Sequence, residues 1–466
     1  MVFSDLFFLF VFIPAFAAFY MAAKAADKHF FASKNTLRNA VLILFSLIFY
    51  AWGEPVYLFL MIGLVAVNYA AGRVIANASQ HRKQALISGI VCNLLTLGVF
   101  KYAGFFAQTL NTIGIPVPVP AIRLPIGISF YIFQSISYLV DVYKKDAKPQ
   151  QNFYNLLLYI SMFPQLIAGP IVRYNTIAEE IGKRSATIKD ISEGIFRFLI
   201  GLGKKVIIAN QLGTISDQLL VNNLADSTTG SWVGLLAFSL QIYFDFSGYS
   251  DMAIGMGRCL GFHFNENFNH PYTCNSVTDF WRRWHISLGQ FFRDYVYIPM
   301  GGNRQHQWLN IFCVWFLTGM WHGASWNFIL WGLYFGIILV IEKLWLLKPL
   351  QNVKAAGRIY SLLIVYIGWG IFYFDDFGNM TTFFKSFFML SGTFSNFAVQ
   401  QAITGNLWLW LAAITFSMPV RTWMEERISN TTAKYAIRTA LSIIIIFLSV
   451  SLLVGATNNA FLYFRF

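Results

Sequence analysis

The sequence predicts an all-α, polytopic integral membrane protein, and three observations support this prediction. Of the 466 residues, 57% are hydrophobic and 18% aromatic, but only 12% are charged, whereas about a quarter of the residues of a soluble domain are charged. Several apolar runs reach the roughly 20 residues that a helix needs to cross a bilayer. Basic residues recur in the loops between these runs, as is typical of membrane proteins. Helices are the expected form of the spans, because a helix satisfies its own backbone hydrogen bonds in lipid.

The formal net charge of +13 comes from Lys and Arg residues that cluster in the loops between apolar runs. Such clusters are typical of contacts with anionic lipid headgroups and of cytoplasmic loops. Membrane lipids are therefore expected partners, and nucleic acid is not. The four cysteines show no C-x-x-C pattern and no metal-ligand spacing with histidine, so neither a disulfide framework nor a metal site is expected.

The first apolar run, 2–23, is predicted to span the membrane with its N-terminus outside, because basic residues follow it and none precedes it. The run 155–172 contains Pro164, Gly169 and Pro170, and we expect an interrupted, re-entrant segment there. If successive runs cross the membrane in alternating directions, most of the loops expected on the cytoplasmic side are basic. Further crossings are predicted over 40–52, 55–71, 85–97, 125–140, 361–373, 407–416 and 440–453.

A long helix is predicted to start near Trp232 and to run to Gly255. On it, Gln241 and Asp245 lie one turn apart and share a face. Asp245 and Asp251 on this helix could suggest the carboxylate pair of a glycosidase, but helix caps and interhelical bonds explain them as well. The following segment, 278–293, has the pattern of one amphipathic helix in the membrane interface. Its apolar face would carry Phe280, Trp284, Leu288 and Phe291.

The segment 308–341 is too long for one straight span, because its 34 residues would extend about 50 Å as a helix. Gly319 and Gly323 bracket His322, so two helices are predicted to meet there, with Ser325 and Trp326 one turn from the imidazole. A neutral histidine at membrane depth is a competent general base, and intramembrane histidines usually have a function. The alternative is a buried histidine whose ring is satisfied by a backbone carbonyl.

His285 lies in the sequence FWRRWHIS beside two arginines. Two interpretations remain open at this stage: a catalytic residue, or an interfacial histidine that anchors the amphipathic helix. Arg282, Arg283 and Arg304 are of the type that binds the phosphates of a nucleotide-bearing donor, and they are equally of the type that holds lipid headgroups.

Other reaction classes lack their characteristic sequences. There is no G-x-S-x-G, no P-loop and no H-E-x-x-H motif. No duplicated halves and no period of 20–50 residues are found, and no soluble domain of useful size is present. We therefore predict a single transmembrane domain over 1–466.

In its longer motifs, the chain resembles the membrane-bound O-acyltransferase superfamily. It is similar to the bacterial branch of alginate and peptidoglycan O-acetylation membrane proteins, to which the D-alanine transfer protein of teichoic acids is related. The resemblance rests on segments that cover the chain almost end to end: PIGISFYIFQSISYLVDVY at 125–143, FPQLIAGPIVRY at 163–174, QIYFDFSGYSDMAIG at 241–255, NFNHPYTCNSVTDFWRRWHISLGQFFRDYVYIPMGGNR at 267–304, TGMWHGASWNFILWGLYFG at 318–336 and the closing FLYFRF.

The resemblance implies a ring of roughly 10–12 transmembrane helices with re-entrant and interfacial helices around a central funnel or tunnel, and a catalytic core at about 125–345. It implies that His322 is the catalytic histidine and that His285 is the second polar position of this branch. The matching segments also contain the candidate donor- or acceptor-binding residues: Gln241, Tyr243, Asp245, Trp281, Arg282, Arg283, Asn303, Arg304, Trp321, Ser325 and Asn327.

The resemblance further implies acetyl-CoA as the cytoplasmic acyl donor, with no permanently bound cofactor. The acceptor would be an extracytoplasmic polysaccharide, such as alginate or peptidoglycan, reached through an SGNH-type acetyltransferase or esterase partner. The location would be the bacterial cytoplasmic membrane. A permease for acetyl groups or glycan precursors, and a D-alanyl or lipid acyltransferase, are the alternative functions.

Overall fold

The computed structural model describes residues 1–30, 35–78, 80–222, 226–390, 393–456 and 461–462. Within these ranges the regular structure is helical, and no β-strand occurs. Short π-helical turns extend several helices. The helices are α1 (Ile13–Phe30), α2 (Thr36–Ala51), α3 (Tyr57–Asn77), α4 (Arg82–Leu97), α5 (Ala103–Thr112), α6 (Ile128–Lys144), α7 (Phe153–Ser161), α8 (Phe163–Leu166), α9 (Tyr174–Gly182), α10 (Ile188–Gly203), α11 (Asn210–Ser216), α12 (Thr228–Cys259), α13 (Val277–Arg283), α14 (Ile286–Phe292), α15 (Gln307–His322), α16 (Trp326–Ile341), α17 (Leu347–Asn352), α18 (Lys354–Tyr373), α19 (Phe377–Phe387), α20 (Phe397–Thr404), α21 (Leu407–Phe416), α22 (Val420–Arg427) and α23 (Thr431–Val454).

The predicted all-α, polytopic class is confirmed. Six helices of the described chain are long and apolar enough to cross a membrane. Other expected crossings fall in helices that are shorter, such as α2 and α21, or that contain charged residues. The six spans are Phe8–Phe30, Tyr57–Asn77, Arg82–Thr112, Trp326–Leu350, Lys354–Tyr373 and Thr431–Val454.

The helices are organised in two compact units, and the first comprises Met1–Phe198 and Ser250–Asn265. In this unit α3 packs against α4 and α6, and α1 packs against α2. The carboxylate of Asp27 forms an ion pair with Arg38 at 3.2 Å and accepts the first backbone N–H groups of α2. Arg197 and Asp251 form a second ion pair at 2.8 Å. Asp251 of α12 therefore pairs with a residue of another helix, as the sequence suggested.

The interrupted segment predicted over 155–172 is confirmed within the first unit. Helix α7 ends at Ser161, and α8 is a single turn that begins at Phe163, with Pro164 in its first turn. All residues from 156 to 172 are buried. Burial against protein is the condition under which non-helical backbone is tolerated at membrane depth.

The second unit comprises Leu199–Tyr249 and Glu266–Phe466. Helices α15 and α16 pack against each other, and α16 packs against α18. The short helix α13 contacts α14, α16 and α18. All of the candidate site residues lie in this unit. The single domain over 1–466 stays a prediction.

The single amphipathic helix predicted over 278–293 is wrong. Helix α13 ends at Arg283 and α14 begins at Ile286, because His285 adopts a left-handed conformation with φ 44°. The side chain of Asn267 accepts the backbone N–H of Ser287 and caps the second helix. The four apolar residues assigned to one face are nevertheless all buried: Phe280, Trp284, Leu288 and Phe291.

Candidate functional site: two buried histidines in contact with one tryptophan

His322 is the last residue of α15, and the chain turns immediately after it. Gly323 has extended backbone, and α16 begins at Trp326, which confirms that two helices meet at this histidine. The predicted one-turn alignment of Ser325 and Trp326 with the imidazole is wrong, because residues 323–325 are not helical.

Glycines allow the two helices of this hairpin to approach closely. A Cβ atom at Gly319 would overlap the carbonyl oxygen of Phe328, and one at Gly332 would overlap the carbonyl oxygen of Trp315. A Cβ at Gly323 would overlap the ring of Phe328. The small residues around His322 are therefore required by the packing of α15 on α16.

The imidazole of His322 is 6% exposed and is enclosed by aromatic rings. Ring centroids lie 5.0 Å away for Trp321, 4.9 Å for Trp331 and 5.2 Å for Phe372. Each of these rings meets the imidazole edge to face. Such an apolar enclosure limits access of water to the ring.

His285 is also buried, and its ring contacts the same indole, that of Trp321. The centroid of its ring is 5.5 Å from that indole and 4.7 Å from the ring of Phe246. Both histidines therefore contact one indole, and the structure brings together the two candidate catalytic residues. A left-handed non-glycine residue is uncommon and is often found at functional sites.

The hydrogen bonds of Asn267 determine which nitrogen of His285 carries the proton. Oδ1 of Asn267 accepts the backbone N–H of Ser287 at 3.2 Å and its hydroxyl at 2.8 Å. Because a backbone N–H can only donate, this atom of Asn267 must be the oxygen. Nδ1 of His285 lies 3.1 Å from the same oxygen and must therefore donate to it. Nε2 is then the accepting nitrogen.

The accepting nitrogen of His285 is directed into the protein interior. Nε2 is buried and has no hydrogen-bond partner within the described residues. Burial lowers the pKa of His285 to about 3, because desolvation disfavours the imidazolium form. At neutral pH this residue is a neutral acceptor for a hydroxyl, thiol or amide proton. The anchoring role of His285, in which the ring would face the interface, does not fit its burial.

A cavity of about 470 Å³ opens beside the turn that follows His322. Asn327, at the start of α16, is buried and donates from Nδ2 to the carbonyl oxygen of Phe372 at 3.2 Å. Its Oδ1 has no partner among the described residues. The cavity lining includes Gly323, Ser325, Asn327, Phe328, Phe372, Tyr373, Asp375, Asn379 and Leu462. Ser325 and Asn327 were both predicted, whereas Asp375 and Asn379 were missed.

Asp245 is the acidic partner of a buried ion pair. Its Oδ1 lies 2.6 Å from Nζ of Lys205, and both side chains are almost fully buried. Its Oδ2 accepts the backbone N–H of Leu462 at 2.7 Å, and the ring of Phe461 packs against Tyr249 at 4.7 Å. The C-terminal segment is thereby attached to α12. Residues 463–466 of the closing FLYFRF lie outside the described residues.

The predicted basic residues do not act as one group. Nε of Arg283 donates to Asp279 at 2.8 Å, so this arginine is engaged inside α13. Arg282 and Arg304 are exposed. The positive charge of Arg282 is close enough to repel that of Lys343. Lys343 was missed by the sequence reasoning, and it donates to Oδ1 of Asn303 at 3.2 Å. Arg282 and Lys343 together form the cationic part of this surface.

The remaining predicted residues support the site through packing. Trp281 packs against Trp315 and Trp331, with centroids 4.8 and 5.4 Å away. Tyr243 is buried among aromatic rings, including that of Trp284. Gln241 is half-buried, and its amide lies against Gly213. Trp281 therefore connects α13 to the hairpin that carries His322.

These features define a helical membrane protein with a pair of buried histidines, and comparison with known proteins identifies the class. Residues 141–379 match the model of the MBOAT, membrane-bound O-acyltransferase family. The chain belongs to this family and is an acyltransferase, which decides against the permease alternative.

Individual relatives refine this result. The chain is 42% identical over 385 residues to the probable alginate O-acetylase AlgI of Azotobacter vinelandii, and the match covers 80% of this chain and 75% of that protein. It is 35% identical over 376 residues to the peptidoglycan O-acetyltransferase of Helicobacter pylori, with 74% and 70% covered. It is 30% identical over 229 residues to the teichoic acid D-alanyltransferase of Bacillus subtilis, with 46% and 58% covered.

Proposed function

We propose that this protein is an O-acetyltransferase of the bacterial cytoplasmic membrane that supplies acetyl groups for an extracytoplasmic polysaccharide. The observation that supports this most directly is the position of His322, buried at the end of α15 beside a cavity lined by Ser325 and Asn327. The matches cover 75% and 70% of the two relatives named for O-acetyl transfer, against 58% of the D-alanyl relative. An acetyl group is therefore favoured over D-alanine.

In the proposed reaction, His322 acts as the general base. It takes the proton of an acceptor hydroxyl, whose oxygen attacks the thioester carbonyl carbon of acetyl-CoA. The new C–O bond forms, the C–S bond breaks, and the imidazolium returns its proton to the leaving thiolate. The neutral Nε2 of His285, whose ring also contacts Trp321, accepts a hydrogen bond from a reactant.

The donor is proposed to enter from the basic, cytoplasmic side. This proposal is supported by Arg282 and Lys343, two exposed cations close enough to repel each other and of the type that binds the phosphate groups of a nucleotide-bearing thioester. The acceptor is proposed to enter through the cavity at the other end of the hairpin, with the N-terminus of the chain outside. A secreted SGNH-type partner would complete transfer to sugar hydroxyls.

The test uses the purified protein in detergent with acetyl-labelled acetyl-CoA and a soluble hydroxyl acceptor. Labelled ester should form, and a D-alanyl thioester should be a poorer donor. The double variant R282Q/K343Q should raise the donor KM about tenfold, an effect that weakens at high salt. R427Q, which removes an exposed arginine of α22, is the matched control. No ester from acetyl-CoA with any hydroxyl acceptor would refute the proposed function.

A further inference from the structure

A fully buried carboxylate lies just beyond α16, the helix that follows the turn after His322. Glu342, directly after α16, has no exposed surface. Its Oε1 accepts the backbone N–H of Val277 at 2.6 Å. Its Oε2 accepts the backbone N–H of Thr278 at 2.8 Å and the hydroxyl of Thr278 at 2.6 Å. Three donors of one segment therefore converge on the two oxygens of this side chain.

These donors belong to the first turn of α13. The first N–H groups of a helix have no partner inside the helix. Ser276, the residue before α13, accepts the N–H of Asp279 with its hydroxyl and the N–H of Phe280 with its backbone carbonyl. Glu342 accepts the N–H groups of Val277 and Thr278, so the cap of α13 includes a residue that lies 64 positions from Thr278 in the sequence. A negative group is also favoured at this end of a helix by its dipole.

Helix α13 leads directly to His285. Only Trp284 separates the last residue of α13 from this histidine. The middle of α13 packs through Trp281 against Trp315, Trp331 and Phe335 of the hairpin that carries His322. The same two helices thus hold α13 by a carboxylate at its start and by aromatic packing in its middle.

We propose that Glu342 is a positioning residue, which fixes α13 and thereby sets the position of the His285 imidazole relative to His322. This inference rests on the proposed function for its catalytic consequence, but the cap itself does not. A carboxylate in an apolar, membrane-spanning segment is costly to place, and an apolar side chain would serve packing equally well. The two convergent acceptor oxygens are what α13 requires, since a glutamine would present an NH₂ group to one set of donors.

The first experiment measures the cap without any reference to catalysis. Hydrogen–deuterium exchange of the whole protein in detergent is compared for wild type, Glu342→Gln, Thr278→Val and Glu426→Gln. The last variant makes the same substitution at an exposed glutamate of α22. Glu342→Gln should accelerate exchange in the peptide that covers 277–285 at least tenfold, and Glu426→Gln should not. Unchanged exchange in Glu342→Gln would overturn the proposal.

The second experiment measures whether the cap positions the site. In acetyl transfer, Glu342→Gln should lower kcat by about tenfold to a hundredfold, as a displacement of about 1 Å in a reactive group does. Thr278→Val should lower it less, and the double variant should be no worse than Glu342→Gln alone, because both act through one contact. Thr278→Ser, which keeps the hydroxyl, should restore the rate lost in Thr278→Val.

The outcomes separate this proposal from the proposed function. Faster exchange with a wild-type kcat would show that the cap exists but positions nothing, and would overturn the inference. Effects that multiply in the double variant would also overturn it, because they indicate separate contacts. Accelerated exchange in an enzyme whose wild type transfers no acetyl group would refute the proposed function and leave the cap standing.

Discussion

The buried pair of Lys205 and Asp245 permits a quantitative prediction about stability. At 2.6 Å, the attraction between two unit charges is about 6 kcal/mol with an effective dielectric constant of about 20. Desolvation of the two groups costs several kcal/mol each, so the pair as a whole contributes little. Removing one member is different, because the other charge then remains buried without its partner. We expect D245L to destabilise the protein by about 3–5 kcal/mol.

A double substitution distinguishes this explanation from simple loss of contacts. K205M/D245L removes both charges and should recover about half of the stability lost in D245L. A residual loss of about 1–3 kcal/mol is expected, because the backbone N–H of Leu462 loses its acceptor in both variants.

The assay is thermal unfolding in detergent, followed by tryptophan fluorescence at pH 7.5. The expected order of unfolding temperatures is wild type, then K205M/D245L, then D245L. A double variant that unfolds at or below the temperature of D245L would refute the reasoning, because it would show that the charge left behind costs nothing.

Three further predictions concern the site. Because burial lowers the pKa of His285 to about 3, the unfolded chain binds a proton below about pH 6.5 that the folded chain does not; wild type should lose about 2 kcal/mol between pH 6.5 and 5 in thermal unfolding, and H285Q should lose less. N267L removes the acceptor that orients His285 and should lower kcat more than N267D, which keeps an accepting oxygen; equal rates would contradict the tautomer assignment. G319A should lower the unfolding temperature, because its Cβ would overlap the carbonyl oxygen of Phe328, whereas an alanine at Gly63, where nothing lies within 4 Å, should not.

Local sequence features predicted much of the hairpin that carries His322. The segment 308–341 is too long for one span, and the glycines around the histidine indicate where the break lies. Both features can be read from neighbouring residues alone. The pairing of Arg283 with Asp279 could also have been predicted from the sequence, because the two residues lie four apart on one helix.

Contacts between distant segments account for what the sequence did not predict. The break at His285 depends on Asn267, 18 residues away, whose side chain caps α14 and overrides the amphipathic pattern. Lys205 and Asp245 are brought together only by the packing of helices, and so are Glu342 and Val277. Such pairs have no local spacing that could reveal them.

The rate of acetyl transfer by H322A tests the central claim most directly. It is measured with labelled acetyl-CoA beside wild type and H81A, which removes an exposed histidine of a basic loop. General-base catalysis by His322 predicts that H322A loses about a hundredfold to ten-thousandfold in kcat at unchanged protein yield, while H81A keeps the wild-type rate. An H322A enzyme that transfers acetyl groups at the wild-type rate would contradict the account.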